Sequence, residues 1–134
     1  MVAFSLSAVA SAEASQYGTA DEAKAMLDRA IAAVEENEAK ALDMFNKGEG
    51  GFKDRDLYVV CANASDGFIT ASPTSKGGQL KDFPSGQKVM RTASEGKVSE
   101  ITYAWPRPGS IRPFEKHTFY TKVGDQICGV GYYK

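Results

Sequence analysis

Side chains suited to binding a small molecule are concentrated between Tyr103 and Asp125. This stretch holds the only tryptophan and the only histidine of the chain, and a proline-rich segment divides it. Because side chains alternate along a β-strand, two sets of residues are each predicted to share a face. The sets are Ile101, Tyr103 and Trp105 on one strand, and Lys116, Thr118 and Tyr120 on the next. If the two faces coincide in a sheet, they form one wall of a site.

A wall of this composition is suited to a small organic acid. Aromatic rings that carry a hydroxyl or an indole N–H combine apolar cover with a few directed donors, as small-molecule sites do. A lysine at its edge, or an arginine from a neighbouring helix, favours a carboxylate, because a charged donor in a partly dry pocket binds an anion more strongly than a neutral donor does. The candidate ligand-binding residues are Arg91, Tyr103, Trp105, Lys116, Thr118 and Tyr120.

The same residues also fit a structural role. Aromatic side chains on strands usually pack, so Tyr103 and Trp105 could be plain core residues. Lys116 would then cover them with its methylene stem while its charge reaches water. The sequence leaves both interpretations open, and for Arg91, Lys116 and Tyr120 it favours neither.

Covalent catalysis would depend on Cys61, Cys128 and His117. The two cysteines lie too far apart in sequence for a redox CxxC pair or a zinc-ligand spacing, and separate buried thiols are expected rather than a disulfide. His117 points away from the Lys116 face and would need a cysteine beside it to form a nucleophile pair. No phosphate-cradling loop, glycine-bracketed serine or haem motif is present. The prediction is a non-enzyme without a cofactor, and a Cys/His-dependent hydrolase is the weaker alternative.

A metal site is not predicted either. Asp54 and Asp56 have the D-x-D spacing of calcium ligands. The glycine and the closing glutamate of a helix-loop-helix calcium site are missing downstream, so this segment is expected to be a solvated loop.

Length and composition predict one globular domain. The chain has 134 residues, of which 43% are hydrophobic and 25% charged, ordinary values for a chain that folds on its own. Its net charge of -1 creates no long-range field for a polyanion, so nucleic acid is not an expected partner. No stretch approaches the ~20 apolar residues of a membrane span.

The first residues resemble the end of an export signal. The segment "MVAFSLSAVASAEA" is rich in small and apolar residues and ends in an A-x-A pattern, Ala12 to Ala14. Residues 1–18 are interpreted as a truncated export signal or, alternatively, as a helical extension. The first interpretation predicts a periplasmic or secreted protein.

One long helix is predicted to follow. Thr19 and Glu22 form a capping box, and apolar residues then recur at helical spacing until Lys47 and the stop signal Gly48. Such a helix would be ~40 Å long, so part of it is expected to project or to pair with a second copy of the chain over residues 20–47. Asn37 falls on the apolar seam, where it is expected to face water or set the helix register.

The remainder predicts an α+β arrangement. A strand in "LYVVCANA" is joined to "FITASP" by the hairpin signal Asp66-Gly67, and residues 72–78 form a loop. Ser85 is predicted to cap a short helix that runs through Ala93 and ends at Gly96. Three strands follow, at about 98–105, 114–122 and 126–133.

Four ordered stretches then resemble a known family: "FNKGEGGFKDRDLYVV", "ASDGFITASP", "YAWPRPG" and "GDQICGVGYY". Together they are similar to a single Cache domain, the extracytoplasmic ligand-sensing relative of the PAS fold, over residues 19–134. The resemblance implies a five-stranded antiparallel sheet with the long N-terminal helix on one face and a small-molecule pocket on the other. It also makes neighbours of the strands that carry Cys61 and Cys128, so that a disulfide becomes geometrically feasible.

Two departures from the family affect the functional interpretation. Members are often tethered to a kinase or chemotaxis module, whereas this sequence ends at "GYYK", which suggests a stand-alone protein with a separate, unidentified signalling partner. Where members often have a tyrosine in the fourth strand, this chain has Phe119, which leaves the ligand's polarity open. The main hypothesis is a module that senses or carries a carboxylate such as acetate, propionate, pyruvate or lactate. The alternative is a structural domain that dimerises through residues 20–47.

Overall fold

A computed structural model describes residues 16–134 of the chain. The residues that motivated the export-signal interpretation, 1–14, lie outside the described part. The elements in chain order are α1 Ala20–Glu36, α2 Glu38–Lys47, β1 Lys53–Asp54, β2 Leu57–Asn63, β3 Ile69–Ala71, a 3₁₀ turn Leu80–Asp82, α3 Pro84–Thr92, β4 Ser99–Pro106, β5 Pro113–Val123 and β6 Gln126–Tyr133. Within residues 16–134, no helix is long and apolar enough to cross a membrane.

The strands form one antiparallel sheet. Its order is β1-β2-β6-β5-β4, and the short β3 pairs with β2. The sheet has six strands rather than the predicted five, because the two-residue β1 precedes β2. The α+β class and the last three strands are confirmed. The Asp66-Gly67 hairpin between β2 and β3 is also confirmed, with Gly67 at a φ of 78° that glycine adopts without steric cost.

The predicted long helix is broken at Asn37. Its start is confirmed, since Thr19 accepts from the Glu22 amide and Glu22 accepts from the Thr19 amide. Asn37 is extended (φ -161°, ψ 98°), and its side chain accepts from the Lys40 amide, so that it ends α1 and caps α2. An asparagine can satisfy backbone donors that a helix would otherwise leave free, which favours a cap over a helix interior. The prediction of one helix was therefore wrong, and α1 alone is about 26 Å long.

The helices cover one face of the sheet. Leu27 and Ala30 of α1 and Phe45 of α2 pack with Leu57 and Val59 of β2 in a core without exposed members. The predicted placement of the N-terminal helix on one sheet face is confirmed in this respect. This face provides most of the buried apolar surface that stabilises the domain.

Cys61 and Cys128 form a disulfide in this core. The two residues are directly paired across β2 and β6, with Cα atoms 4.1 Å apart. The expectation of separate thiols was wrong, because the pairing depends on the register of two strands that lie 67 residues apart in sequence. With both cysteines bonded, neither offers a thiol for the Cys/His hydrolase alternative.

Asp56 is buried and does not belong to a solvated loop. One carboxylate oxygen accepts from the Gly18 amide at 2.8 Å, and the other lies 3.6 Å from Nε of Arg107. The Arg107 guanidinium also lies over the rings of Tyr17 and Phe114. The expectation for Asp56 was therefore wrong, since this carboxylate ties the start of α1 to the β4–β5 hairpin, whereas Asp54 is exposed as expected.

The second face of the sheet lies under residues 72–92, which comprise the loop 72–78, the 3₁₀ turn, α3 and the residues that join them, and which we call the lid. Helix α3 begins one residue before Ser85, with Pro84 at its first position and no side-chain cap. The predicted Ser85 cap was wrong, because the fixed φ of proline starts the helix without one. Helix α3 ends at Thr92, close to the predicted end.

Candidate functional site

A cavity of about 210 Å³ lies between the second face of the sheet and the lid. A water molecule occupies about 30 Å³ in the liquid, so this space admits a small organic molecule. The sheet contributes residues of β2, β3, β4, β5 and β6, and the lid contributes residues of the loop 72–78, the 3₁₀ turn and α3. The cavity lies where the family resemblance predicts a pocket.

Two strands bring most of the candidate residues to this cavity. Tyr103 pairs with Lys116 across β4 and β5, so that the two predicted faces coincide. The wall predicted from residue alternation is present, and its members that line the cavity are Ile101, Tyr103, Trp105, Lys116, Thr118 and Tyr120. The proposal that they bind a ligand is developed below.

Arg91 is the candidate that lies elsewhere. It is exposed on α3 and does not line the cavity, whereas Gly86 and Val89 of the same helix do. Two residues correspond to roughly 200° of rotation at 3.6 residues per turn, so a helix that turns Val89 inward turns Arg91 away. Arg91 therefore cannot be the cation of the cavity wall in this arrangement.

Lys116 supplies the buried positive charge of the site. Its side chain is 4% exposed, and Nζ donates to the Tyr58 hydroxyl at 3.0 Å. The ammonium also lies 4.4 Å from the ring centroid of Tyr58 and 5.0 Å from that of Tyr133. Among residues 16–134, no carboxylate lies within 4.0 Å of it. The Tyr58 hydroxyl and two aromatic rings thus contact the ammonium, and none of the described carboxylates forms an ion pair with it.

Gly131 of β6 makes room for this lysine, and Gly129 makes room for the neighbouring residues of β5. A Cβ atom on Gly131 would overlap Cε of Lys116 and crowd the Thr118 hydroxyl at 2.5 Å, and one on Gly129 would lie 3.1 Å from Cγ2 of Thr118. The bare backbone of β6 allows the Lys116 side chain to cross from β5 toward Tyr58 on β2. Gly131 therefore leaves free the space that the Lys116 side chain occupies.

Neutral hydroxyl groups complete the polar lining. The Tyr103 hydroxyl lies 2.9 Å from the Thr118 hydroxyl, and the Tyr120 hydroxyl lies 2.6 Å from that of Thr92. Burial raises the pKa of Tyr103 to about 12, although the Thr118 hydrogen bond acts in the opposite direction. At neutral pH Tyr103 therefore carries its proton and can donate it in a hydrogen bond.

Aromatic rings form one edge of the cavity. Trp105 contacts the Phe83 ring edge-on with centroids 5.2 Å apart, and it lies 6.1 Å from the Tyr103 ring in a similar arrangement. Phe83 belongs to the lid and is 39% exposed. Trp105 thus joins the sheet to the lid at this edge.

Sequence reasoning missed three contributors, Tyr58, Tyr133 and Gly131. The sequence predicts only that Tyr58 belongs to a strand. In the structure, Tyr58, Val60 and Ala62 alternate along β2 and line the cavity. Tyr133 lies beneath Lys116, and burial followed by the proximity of Tyr58 raises its pKa. The alternation of "GVGYY" could have indicated that Gly129, Gly131 and Tyr133 share a face.

His117 and Phe119 belong to the opposite face. His117 stacks on Tyr132 at 5.1 Å and contacts Glu115 at 2.6 Å, which confirms that it points away from Lys116. Phe119 packs against the helix-side core and stacks near Tyr132 at 5.8 Å. The hydroxyl absent at Phe119 is therefore not lost from the cavity, so that Phe119 has no direct effect on the polarity of the cavity lining.

Comparison with known proteins identifies the fold. No protein-family profile matches the sequence, and no curated protein matches it. A Cache chemosensory domain whose structure describes carboxylic acid recognition matches 81% of this chain and 84% of its own, with 18% identity and a TM-score of 0.54. A periplasmic sensor domain of a chemotaxis protein matches 82% of this chain and 86% of its own, with 18% identity and a TM-score of 0.55. The chain has the Cache fold.

The sequence-based resemblance to a single Cache domain is thereby confirmed at the level of fold. A PAS domain of an HTR-like protein from Haloarcula marismortui also aligns, at 12% identity and a TM-score of 0.47, over 80% of this chain and 99% of its own. The two Cache-fold matches are sensor domains rather than enzymes. In the present chain, the cavity occupies the sheet face opposite α1, as the Cache resemblance implied.

Proposed function

We propose that the protein is a ligand-sensing module that binds a small carboxylate, of the acetate, propionate, pyruvate or lactate class, in the cavity under the lid. The observation that carries the proposal is the buried ammonium of Lys116, which has no carboxylate partner among the described residues. The similarity to a Cache domain that recognises carboxylic acids supports the same class of ligand.

The electrostatic argument concerns the balance of charge in the cavity. A lysine ammonium has three donors, of which Tyr58 accepts one, and burial of a charge is unfavourable unless it is paired and hydrogen-bonded. A ligand carboxylate next to Nζ would supply both the opposite charge and acceptors. Charge-assisted hydrogen bonds of this kind are roughly twice as strong as neutral ones. Tyr103 and Thr118 offer neutral hydroxyls for the second carboxylate oxygen.

The proposed location is extracytoplasmic. One structural match is a periplasmic sensor domain, and the Cys61–Cys128 disulfide is of the kind that persists in oxidising compartments. The export-signal interpretation of residues 1–18 points the same way. Fractionation of cells that express the full gene, with a thiol-labelling assay on the periplasmic fraction, tests this location. A reduced protein in the cytosolic fraction would contradict it.

Calorimetry on ligand-free protein tests the binding proposal. The chain is unfolded in guanidinium chloride without reductant, dialysed and refolded, and is then titrated with acetate, propionate, pyruvate and lactate at pH 7. At least one acid is expected to bind and to raise the melting temperature, since a ligand that binds only the folded state stabilises it. If none of the four acids binds or shifts the melting temperature, the proposal is wrong.

Paired substitutions identify the cation that carries binding. Lys116→Met keeps much of the side-chain length and removes the charge, so it is expected to weaken binding by at least about tenfold. Arg91→Met removes a cation of the lid that lies outside the cavity, and it is expected to leave the affinity within about twofold. If Arg91→Met weakened binding and Lys116→Met did not, the carboxylate would bind on the surface of the lid.

Assembly through the N-terminal helices is a separate proposal. The break at Asn37 divides the surface that a single helix over residues 20–47 would have offered. Sedimentation equilibrium at several concentrations, with and without the bound acid, measures it directly. A monomer at all concentrations would remove dimerisation without affecting the binding proposal.

A further inference from the structure

The cavity lining contains two residues with formal charges, Lys116 and Asp82. Lys116 projects from β5 and is buried, whereas Asp82 belongs to the lid and is exposed. The cavity therefore has one buried cation on the sheet and an anion where the lid meets water. A ligand whose carboxylate lies at Lys116 has no second cation in the lining to receive another negative group.

Much of the remaining lining is aliphatic. The sheet contributes branched side chains from β2, β3, β4 and β6, and the lid adds two more. These residues are Val60, Ile69, Ile101, Ile127, Leu80 and Val89. Ile69, Ile101, Ile127 and Val89 are buried. Contact between such a surface and an alkyl group lowers the free energy of the complex. Contact with a charged group does not, because the charged group loses its hydration.

We infer that the ligand is a monocarboxylate with an uncharged aliphatic tail of about three to five carbons, and that the site discriminates against dicarboxylates. The inference rests on the proposed carboxylate-binding function and narrows it. The carboxylate lies at Lys116 and the tail lies along the aliphatic lining. Acetate then binds as the smallest member of the series, and each further buried methylene tightens binding about fourfold until the cavity is filled.

A second carboxylate on the same carbon chain is unfavourable for two physical reasons. It would lose water to aliphatic side chains that offer it no donor, which costs more than the loss of a terminal methyl contact. The negative charge of Asp82 at the lid would add a repulsion, which is weak because this carboxylate is exposed. A terminal ammonium meets the same aliphatic side chains, and its attraction to the exposed Asp82 is weakened by water and salt.

Three ligands of equal chain length test the inference: butyrate, succinate and 4-aminobutyrate. Calorimetric titration of the refolded wild-type protein at pH 7 is expected to give butyrate an affinity at least about tenfold higher than either of the others. Succinate or 4-aminobutyrate that binds as tightly as butyrate would overturn the inference. Failure of acetate, propionate and butyrate alike would overturn the carboxylate proposal itself. Binding of acetate and propionate without any gain for butyrate would overturn the inference alone.

Two substitutions assign the discrimination to named residues. Val89→Thr replaces a lid methyl group with a hydroxyl of similar volume, so it is expected to reduce the affinity for butyrate severalfold while the affinity for acetate changes by less than about twofold. Asp82→Asn is expected to narrow the ratio of butyrate to succinate affinity by only about twofold or less, because water and salt weaken the repulsion from this exposed carboxylate. Circular dichroism confirms folding of both variants. If the butyrate-to-acetate ratio of Val89→Thr and the butyrate-to-succinate ratio of Asp82→Asn both equal those of the wild type, the assignment of the tail to this part of the cavity is wrong.

Discussion

The two faces of the sheet are made by neighbouring residues of the same strands, yet they differ in how they are filled. Along β2, Leu57, Val59 and Cys61 point to the helices and are fully buried. Tyr58 and Val60 lie between them in sequence and point to the cavity. The helix face has its space filled by apolar side chains and a disulfide, whereas the cavity face retains free volume and a buried ammonium that forms no ion pair within residues 16–134.

This difference separates stability from binding. Interiors are normally close-packed, and a cavity lined by a buried cation forgoes both dispersion contacts and a favourable ion pair. We expect substitutions on the helix face to lower the free energy of unfolding and substitutions on the cavity face to lower the affinity. The predictions below are arranged to test this separation.

The largest effect is expected at Phe45 on the helix face. Its ring is fully buried and contacts Phe52 edge-on at 4.7 Å. Phe45→Ala is expected to lower the free energy of unfolding by roughly 3–5 kcal/mol, because it removes the ring's transfer free energy and leaves a cavity. Urea unfolding followed by circular dichroism measures the change. A loss below about 1 kcal/mol would show that the helix face is not the main source of stability.

Removal of the disulfide is expected to have the next largest effect. The bridge joins residues 67 apart in sequence and both cysteines are fully buried. The double variant Cys61→Ala/Cys128→Ala is expected to lose roughly 2–5 kcal/mol, chiefly because its unfolded chain gains conformational freedom. Wild-type protein unfolded with and without reductant provides the matched comparison. Equal stabilities in the two conditions would contradict the prediction.

Lys116→Met, on the cavity face, is expected to lower the affinity for the ligand without lowering the stability of the protein. Replacing a buried charge by an apolar side chain of similar length is often neutral or stabilising, so the free energy of unfolding without ligand should change by less than about 1 kcal/mol or increase. The same variant loses carboxylate binding, as predicted above. A large loss of stability without ligand would show that Lys116 stabilises the fold, and it would contradict the proposed division of binding and stability between the two faces.

The smallest effect is expected from a carboxylate pair outside both faces. A hydrogen bond with Asp125, followed by burial, raises the pKa of Glu38 from its ordinary value of 4.5. The folded state therefore holds this proton more tightly than the unfolded state does. The resulting stabilisation is present below about pH 4.5 and is lost as the pH rises through the higher folded pKa.

Glu38→Gln removes the titration of Glu38 in this pair. Relative to the wild type, the variant is expected to be slightly more stable at pH 7 than at pH 4, and the difference stays small because Asp125 is exposed and Glu38 is only half-buried. Urea unfolding at the two pH values measures it. An advantage of the variant that grows as the pH falls would have the wrong sign.

The sequence predicted features that depend on neighbouring residues. The capping box at Thr19 and Glu22, the left-handed Gly48 and the final three strands are local patterns, and the structure contains them. Residue alternation also predicted which residues share a face with Tyr103 and which with Lys116, and the strand register shows that the two faces coincide. The Cache resemblance supplied the arrangement of the helices and the cavity about the sheet.

Features that depend on long-range strand register or on a competing local interaction could not be predicted from local sequence patterns. The Cys61–Cys128 pairing and the approach of Lys116 to Tyr58 across β6 require the strand order and its register. Asn37 fits the apolar seam by spacing, but its side chain caps α2 instead. Arg91 has suitable chemistry, and the rotation of α3 determines that it faces outward.

A crystal structure of the refolded protein with butyrate tests the central claim most directly. The account predicts electron density for the ligand under the lid, with a carboxylate oxygen about 2.7–2.9 Å from Nζ of Lys116 and the alkyl tail against Val89 and Ile101. A carboxylate bound at Arg91 or elsewhere on the surface, with water alone beside Lys116, would contradict it.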